Sequence, residues 1–472
     1  MFKQQLNHRL GPEDNSFLVY DTETTPMNIG AVSVIAGDIE LDRFVENIAS
    51  KIHLIPRYQQ LVVPAPFGVG RPTWEFDPSF DVRRHVRELM LEPPGTLDQL
   101  FAAAARIHET RLDRRRPLWE IYLVKGLEDG NTGMISKVHH CMVDGVGGIS
   151  LLMIILDPSP QAQRSTTAAK EYNPPPIPGA IARFNDSFFD ALSEGLDTVT
   201  NFEERFLDVS TGAGGDWLRM MGASLRTALP YFLFPARKTP FNQTFSGKRA
   251  ITGLAVKLDE VNRIREVTGG TINDAALTVL GGAVTRYLEG HGEDVSGRII
   301  RIFTPVNVRH GNEEGTLGNK VSMLLVEVPA DEKDPVARLK VIQKRTSQMK
   351  KDHVSDGVGT LSNAVFAMPA PVSKALIDLG ALPLDKMGNM VCTNVPGPRF
   401  PLYSIGHEML SMYPIVPIAW EMGIGCAIAS YNGTLYLGLT ADMGAAPDAH
   451  LLSDHLVESY VELRNAAGVS PA

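Results

Sequence analysis

His139-His140-Cys141-Met142-Val143-Asp144-Gly145 is the stretch on which the reading of this chain turns. Two adjacent imidazoles are followed, at a fixed short distance, by a carboxylate and a glycine. Histidine is the side chain best suited to take up and return a proton near neutral pH. The Asp-Gly pair predicts a sharp turn that holds a base in a pocket rather than on a surface. Outward from there, Trp119 to Lys125 reads as a strand, Glu128-Asp129-Gly130-Asn131 as a turn and Met134 to His140 as the return strand. The histidines thus close a strand, and Ile149 to Leu156 resumes behind them as a buried helix. Neighbours on a strand point to opposite faces. His140 shares the parity of Met134, Ser136 and Val138, and His139 that of Ile135 and Lys137. One imidazole should therefore enter a reaction cavity while the other packs or orients. Asp144 is expected either in a buried ion pair that fixes the loop or directly beside the base.

Competing readings of the same residues stay open at this level. Two core histidines and a turn aspartate would look identical. Two histidines and a carboxylate can also ligate iron or zinc, but adjacent strand histidines diverge. His108-Glu109 lacks the second histidine four residues on that a zinc motif needs, so no metal is expected. No GxSxG occurs, which argues against a serine-hydrolase nucleophile. Cys141 adjoins the base in sequence, so its side chain projects away from it and reads as packing.

The chain has 472 residues, long for one core, and two domains are expected. Its hydrophobic share of 44% and charged share of 21% are those of a folded globular protein. A net charge of −9 lacks the electrostatic footprint of a nucleic-acid binder. Cys141, Cys392 and Cys426 lie far apart with no CxxC spacing, which suits a reduced compartment. The N-terminus has no apolar core of signal-peptide length, and Ile149 to Leu156 is too short to span a bilayer. The protein is expected in the cytoplasm, or on a membrane without crossing it.

Leu41, Phe44, Val45, Ile48, Ala49 and Ile52 mark an early amphipathic helix. Thr96 and Gln99 fit a capping box that opens a second helix, with Leu97, Leu100, Phe101, Ala104 and Ile107 as its stripe. Residues 157 to 180, with Pro174-Pro175-Pro176, read as an exposed linker. Leu229-Pro230-Tyr231-Phe232-Leu233-Phe234-Pro235 is either a buried hinge, the favoured reading, or a lipid-touching loop. Further on, Asp259 to Val267, Ile272 to Leu288 and Leu451 to Leu463 read as helices. Ile299 to Val308, Val321 to Val328, Met390 to Val395, Gly423 to Ser430 and Leu435 to Thr440 read as strands. Helices and strands mixed in both halves predict an α/β class. Thr271 caps the helix that carries Asn273 and Asp274, and the three-residue spacing gives Asp274 a capping role. Asn273 is more open. Thr393 and Asn394 end a strand before a Pro-Gly-Pro turn, either as donors to a reacting oxygen or as a turn-initiating pair. Trp119 reads chiefly as core packing. Arg114-Arg115-Arg116 is either a solvated face or a partner for phosphates.

His139-His140-x-x-x-Asp144-Gly145 resembles the HHxxxDG motif of the bacterial wax ester synthase/diacylglycerol acyltransferase family, within the chloramphenicol acetyltransferase-like superfamily. Pro117-Leu118-Trp119 resembles that family's PLW motif, Asn273-Asp274 its ND motif and Thr393-Asn394-Val395-Pro396-Gly397-Pro398 its NVPGP segment. Leu10 to Asp14, Thr25 to Gly30 and Ser430 to Gly433 are similar to further family segments, so the likeness spans nearly the whole chain. The resemblance implies two chloramphenicol acetyltransferase-like (condensation-domain-like) α/β sandwich domains with a tunnel between them. The expected boundaries are 1–157 and 246–472, joined by a Pro-rich linker and helical crossover over 158–245. It implies an acyl-CoA-dependent O-acyltransferase that makes wax ester or triacylglycerol from a fatty alcohol or diacylglycerol. His140 would be the general base, His139 a support, Asp144 and Gly145 the orienting turn. Asn273, Asp274, Thr393, Asn394 and Trp119 would be candidates for the tunnel or oxyanion. Acyl-CoA would be a co-substrate with no cofactor bound permanently, and an inner-membrane or lipid-inclusion surface a further partner. Two alternatives accompany this reading. One is a condensation or acyl-transfer enzyme acting on a polyketide, glycolipid or carrier-protein substrate. The other is a non-catalytic lipid-droplet or acyl-CoA-binding protein, which would not need the base.

Overall fold

A computed structural model describes residues 8–68, 70–143, 152–161, 172–190, 233–307, 321–351, 374–375 and 384–471. The β-branched and aromatic run of β5 (Trp119–Lys125) pairs antiparallel with β6 (Thr132–His139) across the expected turn. Around them assemble β1 (Asn28–Ile35), β4 (Val86–Met90), β11 (Tyr403–Ser404) and β12 (His407–Ile415). Together they make a six-stranded sheet in the order β11-β12-β1-β6-β5-β4. Only β4 and β5 are parallel. Leu123 and Val124 point to opposite faces and are both fully buried, so this sheet is covered on both sides. A separate ribbon joins β2 (Gln60–Val63) to β3 (Thr73–Phe76).

The second sheet has the order β7-β14-β13-β10-β8-β9. It comprises β7 (Arg249–Lys257), β8 (Ile299–Asn307), β9 (Val321–Pro329), β10 (Met390–Val395), β13 (Ile424–Tyr431) and β14 (Thr434–Asp442). β10 runs parallel to both of its neighbours. Asn432 and Gly433, both at positive φ, make the tight turn between β13 and β14 that an Asn-Gly pair favours.

In the first half, α1 (Pro12–Tyr20), α2 (Leu41–Lys51) and α3 (Leu97–His108) cover the sheet. α2 buries Phe44, Val45 and Ile48. The capping box of Thr96 and Gln99 opens α3, which packs against β1 and β6 and also against β7 of the second sheet. In the second half lie α4 (Leu258–Thr268), α5 (Ile272–Gly290), α6 (Pro335–Lys351) and α7 (His450–Ala466). α5 is buried almost all round, between α6 and α7. Both halves thus mix helices with strands, as the α/β reading requires.

The halves are interlocked rather than strung in series. Strands β11 and β12 come from the C-terminal half of the chain yet complete the first sheet. Across the junction, a Cβ on Gly438 of β14 would fall 1.8 Å from the Pro414 carbonyl oxygen of β12, so only glycine permits that approach. Tyr413 meets Phe101 and Tyr436 edge-on, with ring centroids 5.1 and 5.0 Å apart. The buried Arg249 guanidinium donates to Asp442 Oδ2 at 2.6 Å and to the Thr24 carbonyl at 2.6 Å, tying both halves together. We propose 1–157 and 246–472 as the two domains, with 403–415 lent to the first sheet.

Of the stretch 229–235, only 233–235 lies within the described residues. Leu233 and Phe234 are exposed, which corrects the expectation of a buried hinge. Arg301 donates to the Phe234 carbonyl at 2.6 Å, which pins the backbone and leaves the ring outside. The described part of the linker follows the first half, where Tyr172 donates to the Asp77 carbonyl at 2.8 Å.

Candidate active site

Strand β6 ends at His139, which sits opposite Asn28 of β1. The His139 amide donates to the Leu118 carbonyl at 2.9 Å, and the His140 amide donates to the Met27 carbonyl at 2.8 Å. The two backbones are therefore fixed, and the rings part. His139 is buried. Its Nδ1 accepts the Cys141 amide at 3.2 Å, so in the neutral ring the proton sits on Nε2. That nitrogen lies 3.8 Å from Asp21 Oδ2, in electrostatic range though beyond a direct hydrogen bond.

Asp21 is the hub of this arrangement. Its Oδ2 accepts from Arg111 Nε at 2.7 Å and from Arg114 Nη2 at 2.9 Å, and its Oδ1 accepts the Met27 amide at 3.2 Å. Burial pushes the Asp21 carboxyl up, but His139 and the two guanidiniums together outweigh it and hold it well below the usual range. Burial drives the His139 imidazole down, with Asp21 pulling the other way. Met27 thus carries Asp21 on its N–H and His140 on its C=O, so one peptide couples the carboxylate to the second histidine.

His140 is only partly buried and faces away from this network. Its ring stacks on Phe17 of α1, with centroids 3.8 Å apart and planes at 9°. Burial lowers its pKa to about 4, and His139 pushes the same way more weakly. At neutral pH the ring is an uncharged imidazole, which is the form that accepts a proton. α1 itself bridges the two halves, because Leu18 belongs to the first core while Tyr20 meets Trp420 edge-on at 5.1 Å.

A second group gathers on the other sheet. Thr393 and Asn394 lie near the end of β10, and Asn394 Nδ2 donates to Asn273 Oδ1 at 3.4 Å. Two segments 121 residues apart are thereby joined. Asp274 is engaged by its cap. Oδ2 accepts the Thr271 amide at 2.9 Å, and Oδ1 accepts the Thr346 hydroxyl at 3.0 Å. Trp119 is a core residue that stacks on His85 at 4.4 Å and donates its indole N–H to the Tyr58 carbonyl at 2.8 Å. Cys141 is buried, and burial pushes its thiol up, which makes it inert. Asp144 and Gly145 lie outside the described residues. Arg114 serves Asp21, while Arg115 and Arg116 pair with Asp113 at the exposed surface, so only the first arginine of the run reaches the site.

Sequence reading passed over Asp21 and Phe17, which fall between the two family-like segments Leu10–Asp14 and Thr25–Gly30. No motif spacing ties Asp21 to arginines some 90 residues away. Among the described residues, no group of three or more histidine, cysteine, aspartate or glutamate side chains could hold a metal ion.

Two family models match the chain. The wax ester synthase/diacylglycerol acyltransferase catalytic domain matches residues 10–276, and the corresponding C-terminal domain matches residues 317–464. A Mycobacterium tuberculosis (strain ATCC 25618 / H37Rv) protein named a probable diacylglycerol O-acyltransferase is 30% identical over 437 residues, 92% of this chain and 90% of its own. Among solved structures, the wax ester synthase/diacylglycerol acyltransferase of Marinobacter aquaeolei VT8 matches with a TM-score of 0.65 at 23% identity. That match covers 98% of this chain and all of the other. The first condensation domain of the calcium-dependent antibiotic synthetase matches with a TM-score of 0.63 at 14% identity, over 99% of this chain and 98% of its own. At those identities the two structures share the fold.

Proposed function

The chain belongs to the wax ester synthase/diacylglycerol acyltransferase family, and from that premise we propose that His140 is the general base of a direct acyl transfer. The protein is an acyl-CoA-dependent O-acyltransferase that forms wax ester or triacylglycerol. His140 takes the proton of the acceptor hydroxyl as its oxygen attacks the thioester carbonyl. The tetrahedral intermediate collapses, the C–S bond breaks, and His140 returns the proton to the departing coenzyme A thiolate. No acyl-enzyme forms. Such base catalysis contributes about 10²–10⁴-fold, and holding two substrates together contributes more.

The observation that carries this reading is the division of labour between the two rings. His139 is sealed against Asp21, while His140 is partly open and uncharged at neutral pH. The intermediate's oxyanion needs donors. Asn273, Thr393 and Asn394 are our candidates for it or for the acceptor, whereas Asp274 acts at the cap and the Trp119 N–H is already donated. Acyl-CoA is the co-substrate in this scheme, with no permanently bound cofactor. The experiment is product analysis with one labelled acyl-CoA and competing hexadecanol, diacylglycerol and acyl-carrier-protein acceptors. His140→Ala should abolish ester formation while the fold persists. Ester synthesis near the wild-type rate in that variant removes the mechanism, and transfer to the carrier protein alone moves the acceptor class.

Among the described residues no helix is long and apolar enough to cross a membrane. We place the chain in the cytoplasm, working at an inner-membrane or lipid-inclusion surface. Exposed Phe67, Ile181, Phe189 and Phe234 support this placement, since aromatic and aliphatic side chains of this kind insert at lipid interfaces. The 180–190 helix that carries two of them is anchored by Arg9, which donates to Asp186 and Asp190 at 2.7 Å each. Phe67→Ser with Phe189→Ser should weaken flotation with anionic liposomes, and unchanged flotation removes the assignment.

A further inference from the structure

We infer that Phe17 is a positioning residue for the base, and that the face of its ring stabilises the imidazolium formed on His140 during transfer. This rests on the reading of His140 as the base. The two rings are nearly parallel, 9° apart, with centroids at 3.8 Å. An aromatic face carries negative quadrupole density and attracts a cation within about 6 Å of its centre. Against a neutral imidazole the stack contributes mainly dispersion. Once the hydroxyl proton moves to His140, the same contact becomes a cation over a π face. The gain appears only as charge develops, which is the kind of interaction that raises the rate of the chemical step rather than substrate affinity.

The surroundings make this contribution matter. Burial leaves His140 a weak base, with His139 alongside opposing its protonation. Asp21 addresses His139 and the Met27 amide. The Phe17 face lies directly against the ring on which the imidazolium forms, where it offsets part of the cost of that charge. Phe17 is also well held. It packs on the first core, Leu18 beside it is buried there, and Tyr20 is braced on Trp420 of the other half. α1 is fixed at its far end by Asp21. A ring so placed sets the plane of the imidazole and limits its rotation.

The test replaces Phe17 site-specifically with mono-, di- and trifluorophenylalanine, which drain the ring face while barely changing its size. Single-turnover acyl transfer should fall stepwise, by about three- to tenfold across the series. The KM for acyl-CoA and the melting temperature should hold. Phe17→Trp should retain activity and Phe17→Leu should lose it. A rate that stays flat through the fluorinated series overturns the inference, whether or not Phe17→Leu folds. The arms separate the two readings. A His140→Ala variant that still makes ester sinks the base itself, whereas an inactive His140→Ala beside a flat series sinks only the role of Phe17.

Discussion

Asp21→Asn tests the coupling between the buried carboxylate and the base. The side chain is 1% exposed, and its two oxygens serve three donors: Arg111 Nε, Arg114 Nη2 and the Met27 amide. Asparagine keeps the shape but not the charge, and it turns an NH2 toward a site built of donors. Removing one partner of a fully buried pair costs about 3–5 kcal/mol. Exposed pairs lose only about 0–1 kcal/mol. Arg111 and Arg114 are 29% and 42% exposed and can regain water, so the loss falls between these limits, at ~2–3 kcal/mol. For a unit of ordinary domain size that lowers the melting temperature by roughly 5–10 °C. The catalytic effect travels through Met27, which holds the His140 amide at 2.8 Å. A displacement approaching 1 Å costs about 10²-fold, so the single-turnover rate should fall roughly 10- to 100-fold with acyl-CoA affinity little changed. Scanning fluorimetry and rapid-quench transfer of a labelled acyl group read the two quantities. A lowered melting point with a rate within about twofold of wild type would confine Asp21 to stability. Both quantities unchanged would refute the network argument altogether.

Stability should fall as pH drops below neutrality. Burial depresses His140 to about 4 and His108 to about 3, and lowers His139 and His85 as well. Unfolded imidazoles titrate near 6.5, so from there down to about 4 the unfolded chain binds more protons and the folded state loses ground. A melting temperature that stays level between pH 7 and pH 4.5 would contradict this. Thr271→Ala removes the cap that accepts the Asp274 amide at 3.1 Å, and should cost about 1 kcal/mol while sparing chemistry. A tenfold loss of single-turnover rate at preserved stability would show that the ND pair does more than cap its helix.

Features set by neighbours in sequence were the legible ones. The β5–β6 hairpin, both capping boxes and five of the six strands of the second sheet, all but β7, follow from local alternation, turn residues and Thr-x-x-Gln or Thr-x-x-Asp spacing. The parting of His139 and His140 follows from strand parity, and the structure places one sealed and the other partly open. What stayed hidden is non-local. β12 reads His407-Glu408-Met409-Leu410-Ser411-Met412-Tyr413-Pro414-Ile415, with polar residues and a proline, and only its pairing with β1 makes it a strand. α1 contains Pro12, Asp14 and Asn15 and buries the latter two, so no apolar stripe announces it. Asp21 looks like any loop aspartate until Arg111 and Arg114 close on it. Asp144 and Gly145, prominent in the motif, lie beyond the described residues, and their roles stay with the family resemblance.

The donated strand has a consequence for how this polypeptide is born. β1 and β6 leave the ribosome early, but the partner for the outer edge of β1 follows about 280 residues later, on the order of 15–55 s at usual elongation rates. Throughout that interval a row of unsatisfied amides and carbonyls is open to any passing strand. Nascent copies should therefore lean on holdase chaperones, and a release that stops short of Ile415 should yield an aggregating fragment rather than a working half-enzyme.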